Sequence, residues 1–146
     1  MRVVIQRSIY SSVTVNNKIV GEINSGMVVL ACFEKLDTEE NLKRAIHKLV
    51  NMRMFECPQT NKMNLNIKQT NGEILLISQF TLSWDGGKGH RPGFENSLDP
   101  TNAKILYQKF CEGIEQEGIK VAKGIFGAYM YVNITNDGPV TFYLTF

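Results

Sequence analysis

The sequence predicts an α/β fold, one domain over residues 1–146 in which a barrel-like, mostly antiparallel β-sheet outweighs two main helices. Three observations carry that reading. Apolar, β-rich segments recur along most of the chain, and two stretches switch to helical spacing. The final segment places Val140, Phe142, Leu144 and Phe146 in alternation with Thr141, Tyr143 and Thr145, the period-two pattern of a half-buried strand.

Residues 1–8 and 12–23 read as strands, the second folded at Asn16-Asn17 into a hairpin between Val13/Val15 and Ile19/Val20. Gly26 opens the run Met27 to Phe33, apolar throughout and suited to a strand buried on both faces. Asp37-Thr38-Glu39-Glu40 carries a helix-start signature with Asp37 as cap. Leu42, Ala45, Ile46, Leu49 and Val50 follow as the buried stripe, and His47 falls off it. Residues 57–72 are polar and read as loops with a short strand, and Glu73 to Leu82 as one strong strand. From Ser83 to Ser97 four glycines and Pro92 replace periodicity, which marks a loop. Asp99-Pro100 caps the second helix, with proline where the first turn tolerates it. Its stripe is Ala103, Leu106, Tyr107, Phe110 and Ile114, and Gly118 stops it. Strands are expected at about 119–125, 129–136 and 139–146.

Composition removes several classes of function. No stretch approaches the roughly 20 apolar residues of a membrane-spanning helix. The charged opening Met1 to Arg7 does not read as a signal peptide, so a cytoplasmic location and no membrane partner are expected. Cys32, Cys57 and Cys111, with His47 and His90, show no metal-ligand spacing, so neither metal nor cofactor is expected. A net charge of +2 neither demands nor forbids a nucleic acid.

Familiar hydrolase designs are missing. There is no G-x-S-x-G elbow, no convergent carboxylate pair and no phosphate-binding glycine loop; only His90 is available as a base for Ser78, Thr81 or a cysteine. Two segments stand out instead. Ser78-Gln79-Phe80-Thr81-Leu82 is a polar patch ending an apolar strand. It reads either as a solvated strand end or as a place where two backbone N–H groups leave the ladder to form an oxyanion hole. Asn136-Asp137-Gly138-Pro139-Val140-Thr141 reads either as a plain tight turn or as a Gly-Pro bond in the cis form, which would aim two carbonyl oxygens together.

Together with Met1 to Arg7 and Lys88-Gly89-His90-Arg91-Pro92-Gly93-Phe94, these motifs resemble, in order and over essentially the whole chain, the D-aminoacyl-tRNA deacylase family. The resemblance implies an enzyme that hydrolyses the ester joining a D-amino acid to tRNA, and glycyl-tRNA as well, in chiral proofreading of translation. It implies a homodimer with shared sites, whose partner is the aminoacylated 3′ end of tRNA and not DNA. Gly138 and Pro139, joined cis, would enter the partner's site and exclude L-amino acids by clash, with Arg7 donating to the loop carbonyls from behind. Catalysis would rest on Ser78, Gln79, Phe80 and Thr81, the N–H groups of Phe80 and Thr81 polarising the ester. Water would attack with help from the vicinal ribose hydroxyl, leaving Thr81 positional. Phe126 and Met130 match the adenine-holding positions, Ser97 lines the pocket, and Lys88 and Arg91 are candidates for phosphate contact. His90, Gly93 and Ser97 depart from the family's usual residues there. Two rivals are a non-catalytic RNA-binding module and a general esterase using Ser78 or Thr81.

Overall fold

A computed structural model describes residues 1–87 and 89–146. Its elements are β1 (Arg2–Val15), β2 (Lys18–Ile23), β3 (Gly26–Cys32), α1 (Glu39–Asn51), β4 (Phe55–Cys57), β5 (Lys62–Leu65), β6 (Glu73–Ser78), a 3₁₀ turn (Phe80–Ser83), α2 (Pro100–Gln116), β7 (Val121–Lys123) and β8 (Tyr131–Thr145).

The sheet runs β2-β1-β3-β6-β7, with β8 on the other edge of β1. Pairings around β1 are antiparallel, while β3-β6 and β6-β7 are parallel. With β2 lying against β7, the mixed sheet nearly closes into a barrel carrying both helices on one side.

Two cores explain the unbroken apolar runs. In β3, Met27, Val29 and Ala31 face the helix layer, while Val28 faces the barrel interior with Val13, Ile23, Leu75 and Ile77. In β6, Ile74 and Leu76 take the first side. Each strand buries both faces, so strict alternation of polar and apolar residues disappears from its sequence.

The local chemistry differs from expectation at four places. Residues 9–11 do not break the first strand: β1 continues to Val15, and Ser8 and Ser11 bury their hydroxyls against each other at 2.6 Å. The cap of α1 is Thr38. Asp37 is occupied by the Glu34 N–H at 2.7 Å and by the Met1 amino group. The strand beginning at Glu73 ends at Ser78, four residues early, because the chain turns into the 3₁₀ segment. Finally, the last two expected strands are one, β8, interrupted by a bulge. The Asn16-Asn17 hairpin holds, both residues having positive φ (49° and 60°) as a tight two-residue turn requires. Asp99 caps α2 through the Asn102 N–H at 3.1 Å.

Candidate active site

The end of β6 builds one wall of the site. Ser78 pairs with Ala31, and the Gln79 N–H still reaches the Ala31 carbonyl at 2.8 Å. The chain then tightens, with Leu82 N–H donating to the Gln79 carbonyl at 3.2 Å and Trp84 N–H to the Thr81 carbonyl at 3.2 Å. Phe80 and Thr81 are the first residues of this 3₁₀ turn, and their N–H groups donate to nothing among the described residues. Such donors are the natural orphans of a helical start.

Phe80, which carries the first of these donors, lines a cleft of about 630 Å³, and Thr81 is the next residue along the chain. Of the residues expected at the site, the cleft gathers Ser78, Gln79, Phe80, Ser97, Phe126 and Met130. Its walls are otherwise mainly apolar, and Asp99 is the single charged side chain among the described lining residues. Hydrogen bonds from Asn102 hold the Asp99 carboxyl below the usual range, so it stays ionised near neutral pH. Phe80 stacks edge-on against Phe94 with ring centroids 5.0 Å apart. Phe126 leans on Tyr107 at 5.8 Å, and the Tyr107 hydroxyl donates to the Leu76 carbonyl at 2.8 Å. Burial raises the pKa of that phenol, which keeps it protonated and structural. Met130 crosses Gly124 so closely that a Cβ there would sit 2.6 Å from its sulfur. Phe126 and Met130 thus pack on the two cores and line the cleft at once.

Thr81 lies outside the lining of the cleft. Its hydroxyl accepts from Gln79 Nε2 at 2.6 Å, and no acid or imidazole bonds to it among the described residues. Cys32 is buried, donates to the Phe80 carbonyl at 3.5 Å, and burial lifts its thiol to about 11, so it is no thiolate nucleophile. Cys111 is raised to about 11 for the same reason. No cluster of three His, Cys, Asp or Glu that would hold a metal occurs among the described residues.

The second motif lies elsewhere. Along the β1-β8 ladder Gln6 pairs with Thr141 and Ser8 with Asn136, so residues 137–140 bulge out opposite Arg7 alone. Asn136 closes the bulge: its Nδ2 donates to Thr141 Oγ1 at 2.8 Å and its Oδ1 accepts from the Val140 N–H at 3.2 Å. That is a physical reason for the N-x-G-P-x-T spacing. Gly138-Pro139 is cis, and both residues are exposed and outside the lining of the cleft of their own chain. Gly138 has φ 115°, and a Cβ there would fall 2.6 Å from Val140 Cγ2 and 2.9 Å from Arg7 Nη2. Arg7 holds the bulge differently from the expected contact with its carbonyls. Its Nε lies 2.8 Å from Asp137 Oδ2, near enough for an ion pair though not aligned as a hydrogen bond, and its Nη1 donates to the Met54 carbonyl at 2.9 Å. The difference has a simple cause: the Asp137 carboxylate attracts the guanidinium by its charge, which a neutral carbonyl does not carry.

Arg91 is exposed and outside the lining of the cleft, and Lys88 lies outside the described residues. Sequence reasoning missed Asp137, and missed Tyr129, Phe33, Leu98 and Ala103 as lining residues. Tyr129 adjoins Met130 and Leu98 adjoins Ser97, both already singled out; Phe33 and Ala103 come from segments that only the folded chain brings together.

Residues 4–145 match the family described as D-Tyr-tRNA(Tyr) deacylase. The chain belongs to that family. With the D-Tyr-tRNA(Tyr) deacylases it is a hydrolase. It is 53% identical over 144 residues to the D-aminoacyl-tRNA deacylase of Clostridium perfringens (strain SM101 / Type A), covering 99% of this chain and 96% of that protein. To the D-aminoacyl-tRNA deacylase of Trichodesmium erythraeum (strain IMS101) it is 48% identical over 146 residues, covering 99% and 95%. Among solved structures, c-Myc DNA Unwinding Element Binding Protein superimposes with a TM-score of 0.92 at 36% identity, over 99% of this chain and 98% of that one. A probable eukaryotic D-amino acid tRNA deacylase shares the deacylase fold with a TM-score of 0.81 at 21% identity, over 98% and 97%.

Proposed function

We propose that the protein hydrolyses the ester of D-aminoacyl-tRNA, releasing the D-amino acid and tRNA, and spares L-aminoacyl-tRNA. The observation that carries this is the pair of unbonded N–H groups of Phe80 and Thr81 beside an apolar cleft walled by Phe126 and Met130. The terminal adenine stacks in the aromatic part of the cleft, and the ester carbonyl faces the two donors. Water forms the new bond to the carbonyl carbon, and the donors stabilise the tetrahedral oxyanion. The bond to the ribose oxygen then breaks, and that oxygen takes a proton, with the vicinal hydroxyl assisting the transfer. No protein side chain has to act as nucleophile, which fits a Thr81 without a base.

Selection between mirror-image substrates rests on the Gly138-Pro139 backbone. Because that turn is exposed and lines no part of its own cleft, it works as part of a homodimer, entering the cleft of the second copy. There it leaves room for the D-configuration and collides with the L-substituent. Glycyl-tRNA, with no substituent to collide, is also cleaved. The protein acts in the cytoplasm as a proofreader of translation, without a cofactor, and Arg91 and Lys88 contribute phosphate contacts.

The deciding experiment compares D-tyrosyl-tRNA, L-tyrosyl-tRNA and glycyl-tRNA in one deacylation assay. Cleavage of the first and third with the second spared is expected. Binding of D-tyrosyl-tRNA without cleavage overturns the enzyme reading in favour of an RNA-binding module. Equal cleavage of both tyrosyl esters removes the filter.

A further inference from the structure

The donors at Phe80 and Thr81 are useful only if the 3₁₀ turn keeps its place when charge develops on the substrate, so what holds the turn's carbonyl end matters. Arg2 Nη1 lies within 3.1 Å of the Leu82 carbonyl and 3.4 Å of the Trp84 carbonyl, and donates to both. The same guanidinium places Nε 2.9 Å from Glu34 Oε1, with both side chains 19% exposed. Glu34 is in turn bridged through its backbone to Ser97, which also lines the cleft. One planar cation therefore ties the end of the turn to a carboxylate whose backbone is registered to a lining residue of the cleft.

Resting on the deacylase reading, we infer that Arg2 is a positioning residue for catalysis, and that the Arg2–Glu34 pair fixes the oxyanion-binding turn relative to the cleft. Arg2 touches no reacting atom. Its fork fixes direction as well as distance, which an ammonium cannot do. Apart from Phe80, the cleft walls, and with them most of substrate binding, are built by residues outside the turn. Loss of the clamp should therefore act on the chemical step and leave affinity alone.

The test measures the single-turnover rate on D-tyrosyl-tRNA, KM and Tm for wild type, Arg2→Gln, Arg2→Lys and Glu34→Gln. Arg2→Gln should lower the single-turnover rate about tenfold to a hundredfold, as expected of a reacting group displaced by a fraction of an ångström to an ångström. KM should stay within about twofold, because Phe80 is the one residue of the turn that lines the cleft and the remaining walls are untouched. Arg2→Lys should recover part of the rate and Glu34→Gln should lose a smaller part. A folded Arg2→Gln with wild-type rate overturns the clamp, as does a change confined to KM. Should Arg2→Gln fail to fold, Glu34→Gln decides: a slower chemical step at unchanged KM supports the clamp, and an unchanged step overturns it. If wild type itself leaves D-tyrosyl-tRNA intact, the deacylase reading fails first and separately.

Discussion

The 3₁₀ turn after β6 and the bulge in β8 invite comparison, because each is an interruption of a strand that presents backbone instead of side chains. The turn frees two donors, the first on a residue that lines its own cleft, whereas the bulge exposes Gly138 and Pro139 outside that lining. An arginine of β1 stands behind each, Arg2 against the carbonyl end of the turn and Arg7 against Asp137. The turn sits where it can act within one chain. The bulge is a finished shape with nothing of its own chain to act upon. Chemistry and selection are thus separable, and substitutions at one should leave the other legible.

Gly138→Ala should have the largest effect, since the new Cβ meets Val140 and Arg7 in a conformation that L-residues avoid. The D-over-L preference or kcat/KM on D-tyrosyl-tRNA should fall about tenfold or more. Wild-type values for both would place the filter elsewhere. Phe126→Ala should raise KM about tenfold with kcat little changed, the loss of one base-stacking contact; a kcat defect at constant KM would contradict a purely binding role.

Asp137→Asn keeps the size of the partner of Arg7 and removes its charge. Because that carboxylate is 43% exposed, selectivity should shift only about twofold to threefold, measured as the ratio of the two tyrosyl-tRNA rates. Thr81→Ala should be milder still, within about threefold in kcat, whereas a true nucleophile would lose about a thousandfold or more.

The smallest effect concerns pH. The thiols of Cys32 and Cys111 rise from 9.0 to about 11 on folding, so they favour the native state below pH 9. That contribution is lost as pH climbs through 11. Tm should therefore be insensitive to these groups up to pH 9 and decline above it, and alkylation of the two native thiols should stay slow at pH 8. Rapid labelling of Cys32 at that pH would show that the turn above it opens.

How far the sequence reveals this depends on whether the deciding interaction is local. The hairpin at Asn16-Asn17 and the Asp99-Pro100 cap are spelled by adjacent residues, and both were readable. At Ser78 to Leu82 a strand end with free N–H groups was one of two readings, but the 3₁₀ turn was not legible, because Phe and Thr also suit a strand. What bends the chain there comes from Cys32, Arg2 and the Ala31 carbonyl, far away in sequence. The bulge in β8 misled in the opposite direction. Asp137-Gly138-Pro139 carries every mark of a strand break, yet the ladder with β1 resumes at Thr141. Asp37 shows the same limit on a smaller scale: its side chain satisfies two short-range requirements equally well, and the competing claim of Glu34 took it from the helix.

The amides at positions 80 and 81 belong to the one part of a residue that substitution leaves intact. Evolution can therefore rewrite the side groups there without erasing the donors, and acid cannot silence them as it silences an imidazole. Vulnerability moves outward, to any change that alters how the peptide planes are tilted. A survey of inactive variants should accordingly find its hits in the supports, such as residues 2 and 34, more often than among groups that meet the substrate.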